Sequence, residues 1–331
     1  MDSEQKIEAD DSAQGVVFSV LQSIPFVEYW QHAASVLIIV LMSVWGRSRF
    51  VQITSFWMTV KGIFLLLFPG TVLDTMTVGK VDAIHLELMR GFGILLLVLG
   101  LYSIFFLSSP DSTVEMTLLL AHTVVYGLQG LNVLNAYMYG PKKKTPRLSD
   151  WGLESAMTGL PILSLISLYY LLSKPDWGGY AELPSQRNLH LRISFLFLFL
   201  LGVVHFAFPA AVIKSVSTTK SVDAVHAYLA RSIGMLQISH SLVVARSTNF
   251  LREGDKSSVF VGQIVGLVLA MSSVLCSYVM VAAYHSVSSL VMVGFMGLLL
   301  TNCLYGADFQ AFCKQCQIDL NSLKSFKLKL P

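Results

Sequence analysis

The residues best suited to chemistry lie in a block that occurs twice in the chain. Each copy has an aspartate, a histidine three residues later and an arginine eight residues after the aspartate: Asp82, His85 and Arg90, then Asp223, His226 and Arg231. Residues 81–95 and 222–236 are identical at 8 of 15 positions. If each block opens a helix, the positive helix N-termini favour an anion or a lipid headgroup. Alternatively, the aspartates cap the helices and the arginines anchor them at the membrane surface.

A second polar set lies on one predicted helix: His122, Gln129, Asn132 and Asn135. The spacing of three between the amides keeps them on one drifting helix face. They could line a polar pathway or form hydrogen bonds to neighbouring helices. The corresponding residues of the second copy are Gln263, Ala270, Ser273 and Cys276. This partial loss of polarity favours interhelical hydrogen bonds.

The histidine pattern gives little support to a metal or haem site. Haem needs two facing imidazoles, and zinc typically needs three or four clustered ligands. Of the histidines in or near predicted spans, we expect only His85, His205 and His226 to approach one face; the others are His122 and His240. The sequence has no Gly-x-Ser-x-Gly elbow or P-loop. We therefore expect no catalytic residues, no metal and no cofactor.

The elements that position these residues are predicted to be membrane helices. The chain of 331 residues is 54% hydrophobic and 13% charged, whereas a soluble domain has about 25% charged residues. A net charge of +3 gives no argument for nucleic-acid binding. Eight main spans are predicted: Val51–Pro69, Ala83–Leu107, Val114–Tyr139, Trp151–Leu172, Leu191–Ile213, Val222–Ala245, Val259–Ala283 and Ser288–Ala307.

The repeated block indicates an internal duplication. The helix before each copy ends in Phe-Pro, at Pro69 and at Pro209. We predict an all-α polytopic protein with two tandem four-helix repeats that enter the membrane from the same side. The predicted organisation is an acidic disordered tail (1–14), a hydrophobic segment that is an interfacial or ninth helix (15–46), repeat A (47–173), a linker (174–190), repeat B (191–309) and a cytosolic tail (310–331).

Features of the C-terminal tail predict localisation. Cys313 and Cys316 follow the last span and are candidates for palmitoylation. Lys327 and Lys329 resemble a dilysine retrieval signal of the endoplasmic reticulum, although a basic tail attracted to anionic lipid is the alternative. The lysine and arginine distribution over the loops places the C-terminus in the cytosol, with Lys142–Lys144 as the disagreeing loop.

The run from Glu87 to Leu96, after a helix that ends in Phe-Pro, resembles a pattern in uncharacterised four-helix membrane proteins. These are the DoxX-like proteins and the relatives of tumour protein p53-inducible protein 11. The second copy departs from the pattern at Tyr228 and Ser232. The resemblance implies a four-helix fold and no particular activity.

Three functions follow from these patterns as hypotheses. The first is a multi-pass endomembrane scaffold or regulator that contacts membrane lipids and other membrane proteins. The second is a transporter or channel with a site between the two halves. The third is a membrane haem oxidoreductase. Because the two copies retain the cap, the histidine and the arginine but lose the polar stripe, the sequence favours the first.

Overall fold

A computed structural model describes residues 46–106, 109–140, 146–173, 184–217, 221–281, 286–308 and 310. These contain ten helices and two short strands. The helices are α1 (Arg47–Leu67), α2 (Pro69–Met76), α3 (Ala83–Phe105), α4 (Ser112–Tyr139), α5 (Asp150–Ser173), α6 (Arg187–Ala207), α7 (Pro209–Val216), α8 (Ala224–Ser247), α9 (Glu253–Val281) and α10 (Ser286–Gly306). Strand β1 (Thr77–Val78) pairs antiparallel with β2 (Arg147–Leu148), a small departure from the all-α prediction. The predicted N-terminal helix over 15–46 lies outside the described residues apart from Gly46.

The two Phe-Pro sequences break the chain in the same way. Phe68 and Phe208 have nearly equal backbone angles, with φ of −127° and −126° and ψ of 51° and 50°. Each following proline is the first residue of an eight-residue helix. Proline is well suited there, because its missing N–H would have no partner in the first turn. The single predicted span Leu191–Ile213 is therefore wrong, since the helix ends at Ala207 and a new one begins at Pro209.

Helices α3 and α8 form the centre of the bundle and contact each other. Helix α3 packs extensively on α1 and on α9, and α8 packs extensively on α6 and on α4. The chain-consecutive pairs α3–α4 and α8–α9 make far fewer contacts. The described part of the chain is therefore not two separate bundles, because each half contributes a helix that packs against the centre of the other.

Glycines allow the closest helix contacts. A Cβ atom added to Gly62 of α1 would lie 2.5 Å from the Leu97 nitrogen, and one on Gly93 would lie 2.9 Å from the Gly62 oxygen. Between α6 and α8, a Cβ on Gly202 would lie 2.9 Å from the Gly234 oxygen. These backbones approach too closely for any side chain. Gly93 and Gly234 are therefore close-packing positions of two helix interfaces.

The outer helices expose large apolar side chains. Phe56, Trp57 and Phe64 of α1 are exposed, as are Leu196 and Leu200 of α6. By length and composition, five of the described helices could cross a membrane: α1, α3, α4, α6 and α9. The protein is therefore membrane-embedded, with this apolar surface facing lipid.

Helix α8 is formed where a span is predicted but is not among these five. It contains buried polar residues, including Gln237, Ser239 and His240. His240 Nε2 hydrogen-bonds the Leu95 carbonyl of α3 at 2.8 Å. Because α3, α4 and α6 surround α8, its polar groups meet protein rather than lipid, so a low hydropathy is compatible with a buried helix.

Candidate functional site

The candidate site begins with two matched helix caps. The Asp82 carboxylate accepts hydrogen bonds from the backbone N–H groups of Ile84 and His85, at 3.0 and 3.1 Å. The backbone N–H of Asp82 in turn donates to His85 Nδ1 at 3.1 Å. This is a capping box in which histidine takes the place usually held by glutamate or glutamine. The predicted role of Asp82 as an N-cap is confirmed.

The second copy forms the same box at the start of α8. Asp223 accepts from the backbone of Val225 and His226 at 2.8 and 2.9 Å, and its own N–H donates to His226 Nδ1 at 3.4 Å. The N-cap role of Asp223 is likewise confirmed. In each copy, the bond from the backbone N–H to Nδ1 fixes the orientation of the imidazole.

The two boxes interlock through the opposite edges of their histidines. His85 Nε2 lies 3.2 Å from Asp223 Oδ1, and His226 Nε2 lies 3.1 Å from Asp82 Oδ1. The two rings stack with centroids 3.6 Å apart and planes inclined by 21°. Each aspartate therefore caps its own helix and accepts a hydrogen bond from the histidine of the other. We call Asp82, His85, Asp223 and His226 the His–Asp cluster.

The protonation state of each histidine decides which bonds of the cluster form. In a neutral ring, Nδ1 accepts the backbone N–H and the Nε2–H group donates to the other aspartate. In a protonated ring, Nδ1 also donates, and carboxylate oxygens lie 2.8 Å from His85 Nδ1 and 3.0 Å from His226 Nδ1. A protonated ring therefore keeps the bond from Nε2 to the other aspartate but loses the bond from the backbone N–H to Nδ1, so only the neutral ring completes the capping box.

The imidazoles are buried and the carboxylates reach solvent. The side chains of His85 and His226 are each 1% exposed, whereas those of Asp82 and Asp223 are 49% and 25% exposed. Burial by itself would raise the pKa of both carboxyl groups. Hydrogen bonds from the capped backbone and from the two imidazoles outweigh burial, so the pKa of Asp82 and the pKa of Asp223 lie below their ordinary value. Both aspartates therefore remain charged and strong acceptors.

Three residues of the cluster are of the metal-ligand type. Asp82, His85 and His226 each place a ligand atom within 4.8 Å of the others. A metal ion would take the nitrogen lone pairs that now accept the backbone N–H groups, or would displace the Nε2 protons that join the two helices. Its binding would therefore cost a helix cap or a bond between the helices. The geometry fits the hydrogen-bonded cluster better than a metal centre.

The histidines do not present themselves as haem ligands. Axial imidazoles direct nitrogen atoms at opposite faces of the iron, whereas His85 and His226 stack on each other with their Nε2 atoms directed at aspartates. His205 does not join them. Its Nδ1 lies 2.9 Å from the Leu201 carbonyl of its own helix. Of the three histidines predicted to approach one face, His85 and His226 stack on each other, and His205 lies apart from them.

The two arginines of the repeated block lie outside the cluster and differ from each other. Arg90 forms an ion pair with the buried Glu87, and Glu87 also accepts a hydrogen bond from Ser273 at 2.8 Å. Tyr228 stands at the position of Glu87 in the second copy. Arg231 meets Asn135 Oδ1 at 3.4 Å.

The polar stripe of α4 divides among different neighbours. Gln129 donates to the Ser232 carbonyl at 3.1 Å, and Asn132 donates to the Tyr228 carbonyl at 3.1 Å. His122 is fully buried and lies 3.5 Å from Thr54 of α1. Gln129 and Asn132 therefore form hydrogen bonds from α4 to α8, whereas His122 faces a different helix.

The remaining predicted sites cannot be placed. Cys313, Cys316, Lys327 and Lys329 lie outside the described residues. Palmitoylation and retrieval therefore stay predictions.

The sequence contains two signals whose meaning becomes clear only from the structure. The spacing Asp-x-x-His matches that of a capping box, although histidine is not its usual last residue. Gly62 and Gly202 each lie seven residues before the proline of a Phe-Pro sequence, at Pro69 and Pro209. They are the helix-crossing partners of Gly93 and Gly234. A comparison of the two copies that included the first helices would have found this pair.

Comparison with known proteins places this geometry in a family. The chain matches, over residues 52–308, the family described as a domain of unknown function, DUF8292. The chain belongs to this family. The matched region begins in α1 and continues to the end of α10, so it includes both copies of the capping box. No curated protein and no solved structure matches the chain.

Proposed function

We propose that this DUF8292 protein is a non-enzymatic multi-pass scaffold or regulator of the endomembrane system. Its two halves are tandem four-helix repeats joined at their centre by the His–Asp cluster. The proposal rests on the hydrogen bonds that join α3 to α8 within the cluster of Asp82, His85, Asp223 and His226. Because the four side chains are hydrogen-bond partners of one another, the cluster acts mainly to join the two helices.

Several matched details support the duplication. The two Phe-Pro breaks have the same backbone angles, and the two capping boxes have the same pattern of bonds. Even the contacts between the halves correspond. Asn132 donates a hydrogen bond to the carbonyl of Tyr228. Ser273, the counterpart of Asn132 in the second copy, donates one to Glu87, the counterpart of Tyr228 in the first. Kinship with DoxX-like four-helix proteins is part of this proposal.

The endomembrane location rests on the sequence of the C-terminal tail. Lys327 and Lys329 match the dilysine pattern, which acts only from the cytosol. Replacing both with serine in cells should move the protein from the endoplasmic reticulum to later compartments. Unchanged localisation of a folded double variant would remove this part of the proposal.

The role of the His–Asp cluster in joining α3 to α8 is tested by removing each histidine. We expect His85→Ala and His226→Ala each to lower the free energy of unfolding by about 1–3 kcal/mol, the usual cost of losing a hydrogen bond to a charged partner. Because the two histidines act in one network, the double variant should differ from the sum of the single variants. Thermal unfolding of the purified protein and its abundance in cells provide the measurements.

Tyr169→Ala, at an exposed position of α5, is the control. The variant lacking His85, Arg90, His226 and Arg231 should lose abundance before any other property. Normal abundance together with loss of a transport activity would contradict the scaffold function.

A transporter is the second candidate, and one observation favours it. A cavity of about 400 Å³ lies beside α4 and α8 and is bordered by Asn132 and Asn135. A transporter in proteoliposomes should show an ion or solute flux that Asn132→Ala and Asn135→Ala reduce without unfolding the protein. Absence of flux of potassium, chloride or phosphate with correctly folded protein would favour the scaffold.

A further inference from the structure

The cavity beside α8 is bordered by Arg231, whose counterpart in the first copy, Arg90, has a glutamate partner. Arg90 and Arg231 each follow a capping aspartate by eight residues. Arg90 pairs with Glu87, but Tyr228 replaces that glutamate before Arg231. Within the described part of the chain, Arg231 has a single hydrogen bond, to Asn135 at 3.4 Å. A half-buried guanidinium with no carboxylate partner favours an external anion.

The volume and the lining of the cavity suit a lipid headgroup. Its volume of about 400 Å³ lies within the usual range of small-ligand sites. Its lining includes Arg231, Asn132, Asn135 and Tyr228. Asn132 Nδ2 already donates to the Tyr228 carbonyl and to the Ser232 hydroxyl, so Arg231 and the amide nitrogen of Asn135 are the donors that complement a phosphate.

Acidic residues also border the cavity, and they are exposed. Asp150 is 67% exposed and pairs with Arg147 at 3.0 Å. Glu154 is exposed as well. Water screens these carboxylates more effectively than it screens the half-buried Arg231. Because Asp150 is paired with Arg147, the Arg231 guanidinium is the cation of this lining that pairs with no carboxylate among the described residues.

An apolar surface next to the cavity indicates how the ligand is attached. Leu131, Leu134 and Met138 of α4 are exposed and recur at spacings of three and four, which places them on one face of the helix. Asn135 lies on the same stretch and borders the cavity. A phospholipid could therefore place its phosphate at Arg231 while its acyl chains lie along these three side chains.

We propose that this cavity binds the phosphate of a phospholipid through Arg231, with the acyl chains on the exposed face of α4. The proposal goes beyond the scaffold function and does not depend on it. It has a direct consequence for Tyr228. A glutamate there would recreate the Glu87–Arg90 pair, neutralise Arg231 and exclude the phosphate.

The test measures lipid binding to the purified full-length chain in a neutral detergent by native mass spectrometry. Dioleoyl phosphatidylglycerol is compared with dioleoylglycerol, which lacks the phosphate, and with glycerol phosphate, which lacks the chains. The variants are Arg231→Gln, Tyr228→Glu and, as the matched control, Arg90→Gln. Thermal unfolding establishes that each variant is folded.

We expect the wild-type chain to bind phosphatidylglycerol about tenfold or more tightly than Arg231→Gln or Tyr228→Glu, because a charge-assisted hydrogen bond is lost. Arg90→Gln should bind as the wild type does. If Arg231→Gln does not fold, Tyr228→Glu still decides, since it keeps the arginine. Wild-type affinity in folded Tyr228→Glu, equal binding of dioleoylglycerol, or equally tight binding of glycerol phosphate would overturn the proposal.

Discussion

At the scale of the residue, one histidine serves two helices. Its Nδ1 completes the cap of its own helix, and its Nε2 reaches the aspartate of the other. Glutamate at the same position could accept the backbone N–H but could not also donate to a carboxylate while charged. The choice of His85 and His226 thus follows from the need for one acceptor and one donor on a rigid ring.

The lowered carboxyl pKa values of Asp82 and Asp223 predict how stability depends on acid. Their folded pKa lies below the unfolded value of about 3.9, so their contribution is fully present above that pH and is lost as the pH falls through the folded pKa. The difference in unfolding temperature between the wild type and Asp82→Asn should therefore shrink below about pH 4. Thermal unfolding from pH 5 down to pH 2.5 measures it, in a range below the titration of ordinary histidine. A constant difference would contradict the assignment.

The bond between the two boxes should also appear as a coupling energy. In a double-mutant cycle of His85→Ala and Asp223→Ala, we expect about 1–2 kcal/mol of interaction free energy, because the bond is partly buried and ends on a charged acceptor. The parallel cycle of His226→Ala and Asp82→Ala should give a similar value. Chemical or thermal unfolding of the four chains provides the numbers. Additive effects in both cycles would show that the cross-helix bonds contribute nothing to stability.

At the scale of the element, two pairs of glycines set the distance between helices. Gly62 and Gly93 bring α1 against α3, and Gly202 and Gly234 bring α6 against α8. Backbone atoms, rather than flexible side-chain ends, occupy the space in which a Cβ would lie. In a membrane, where lipid competes equally for apolar side chains, such close backbone contact is a main source of helix association.

Glycine-to-alanine changes should therefore lower the free energy of unfolding at some positions and leave it unchanged or raise it at others. Gly62→Ala and Gly202→Ala should destabilise the protein by about 1–3 kcal/mol, because the new methyl group overlaps the facing backbone. At Gly159 and Gly297, by contrast, a Cβ meets no atom within 4 Å. Alanine there should be neutral or stabilise by up to about 1 kcal/mol through helix propensity. Unfolding temperatures of the four variants test this, and equal effects at all four sites would contradict it.

At the scale of the whole molecule, the two halves exchange contacts. Helix α3 packs on α9 and α8 packs on α4, while the chain-consecutive pairs α3–α4 and α8–α9 contact each other little. Gln129 and Asn132 bond α8, and Ser273 bonds Glu87 of α3. Neither half therefore buries its own central helix without the other.

Coexpressed halves should consequently assemble. The contacts of α3 with α9, of α8 with α4 and of α3 with α8 all join fragment 1–178 to fragment 179–331, so we expect the two fragments to copurify from membranes. Gln129→Ala combined with Asn132→Ala in the first fragment should reduce the yield of the complex, because buried acceptors on α8 lose their donors. Tyr169→Ala, at an exposed position of α5, is the control. Two stable fragments that never associate would contradict the exchanged packing.

Particular residues show how far prediction from sequence extends. Asp82 and Asp223 are recognisable as N-caps, and Glu87 as the partner of Arg90, because these contacts span only three residues of one helix. The break at Pro209 is missed because the apolar run continues through it to Ile213. The stacking of His85 on His226 is unpredictable from local spacing, because it joins positions 141 residues apart.

The sequence by itself determined that this is a helical membrane protein with a duplicated capping motif, since hydropathy and capping depend on neighbouring residues. Only the tertiary structure decided what the motif does. It brought the two caps together into one cluster, assigned Gln129, Asn132 and Asn135 of the polar stripe to contacts with α8, and left Arg231 facing a cavity. These outcomes depend on which helices pack together, and the packing is set by many weak contacts distant in the chain.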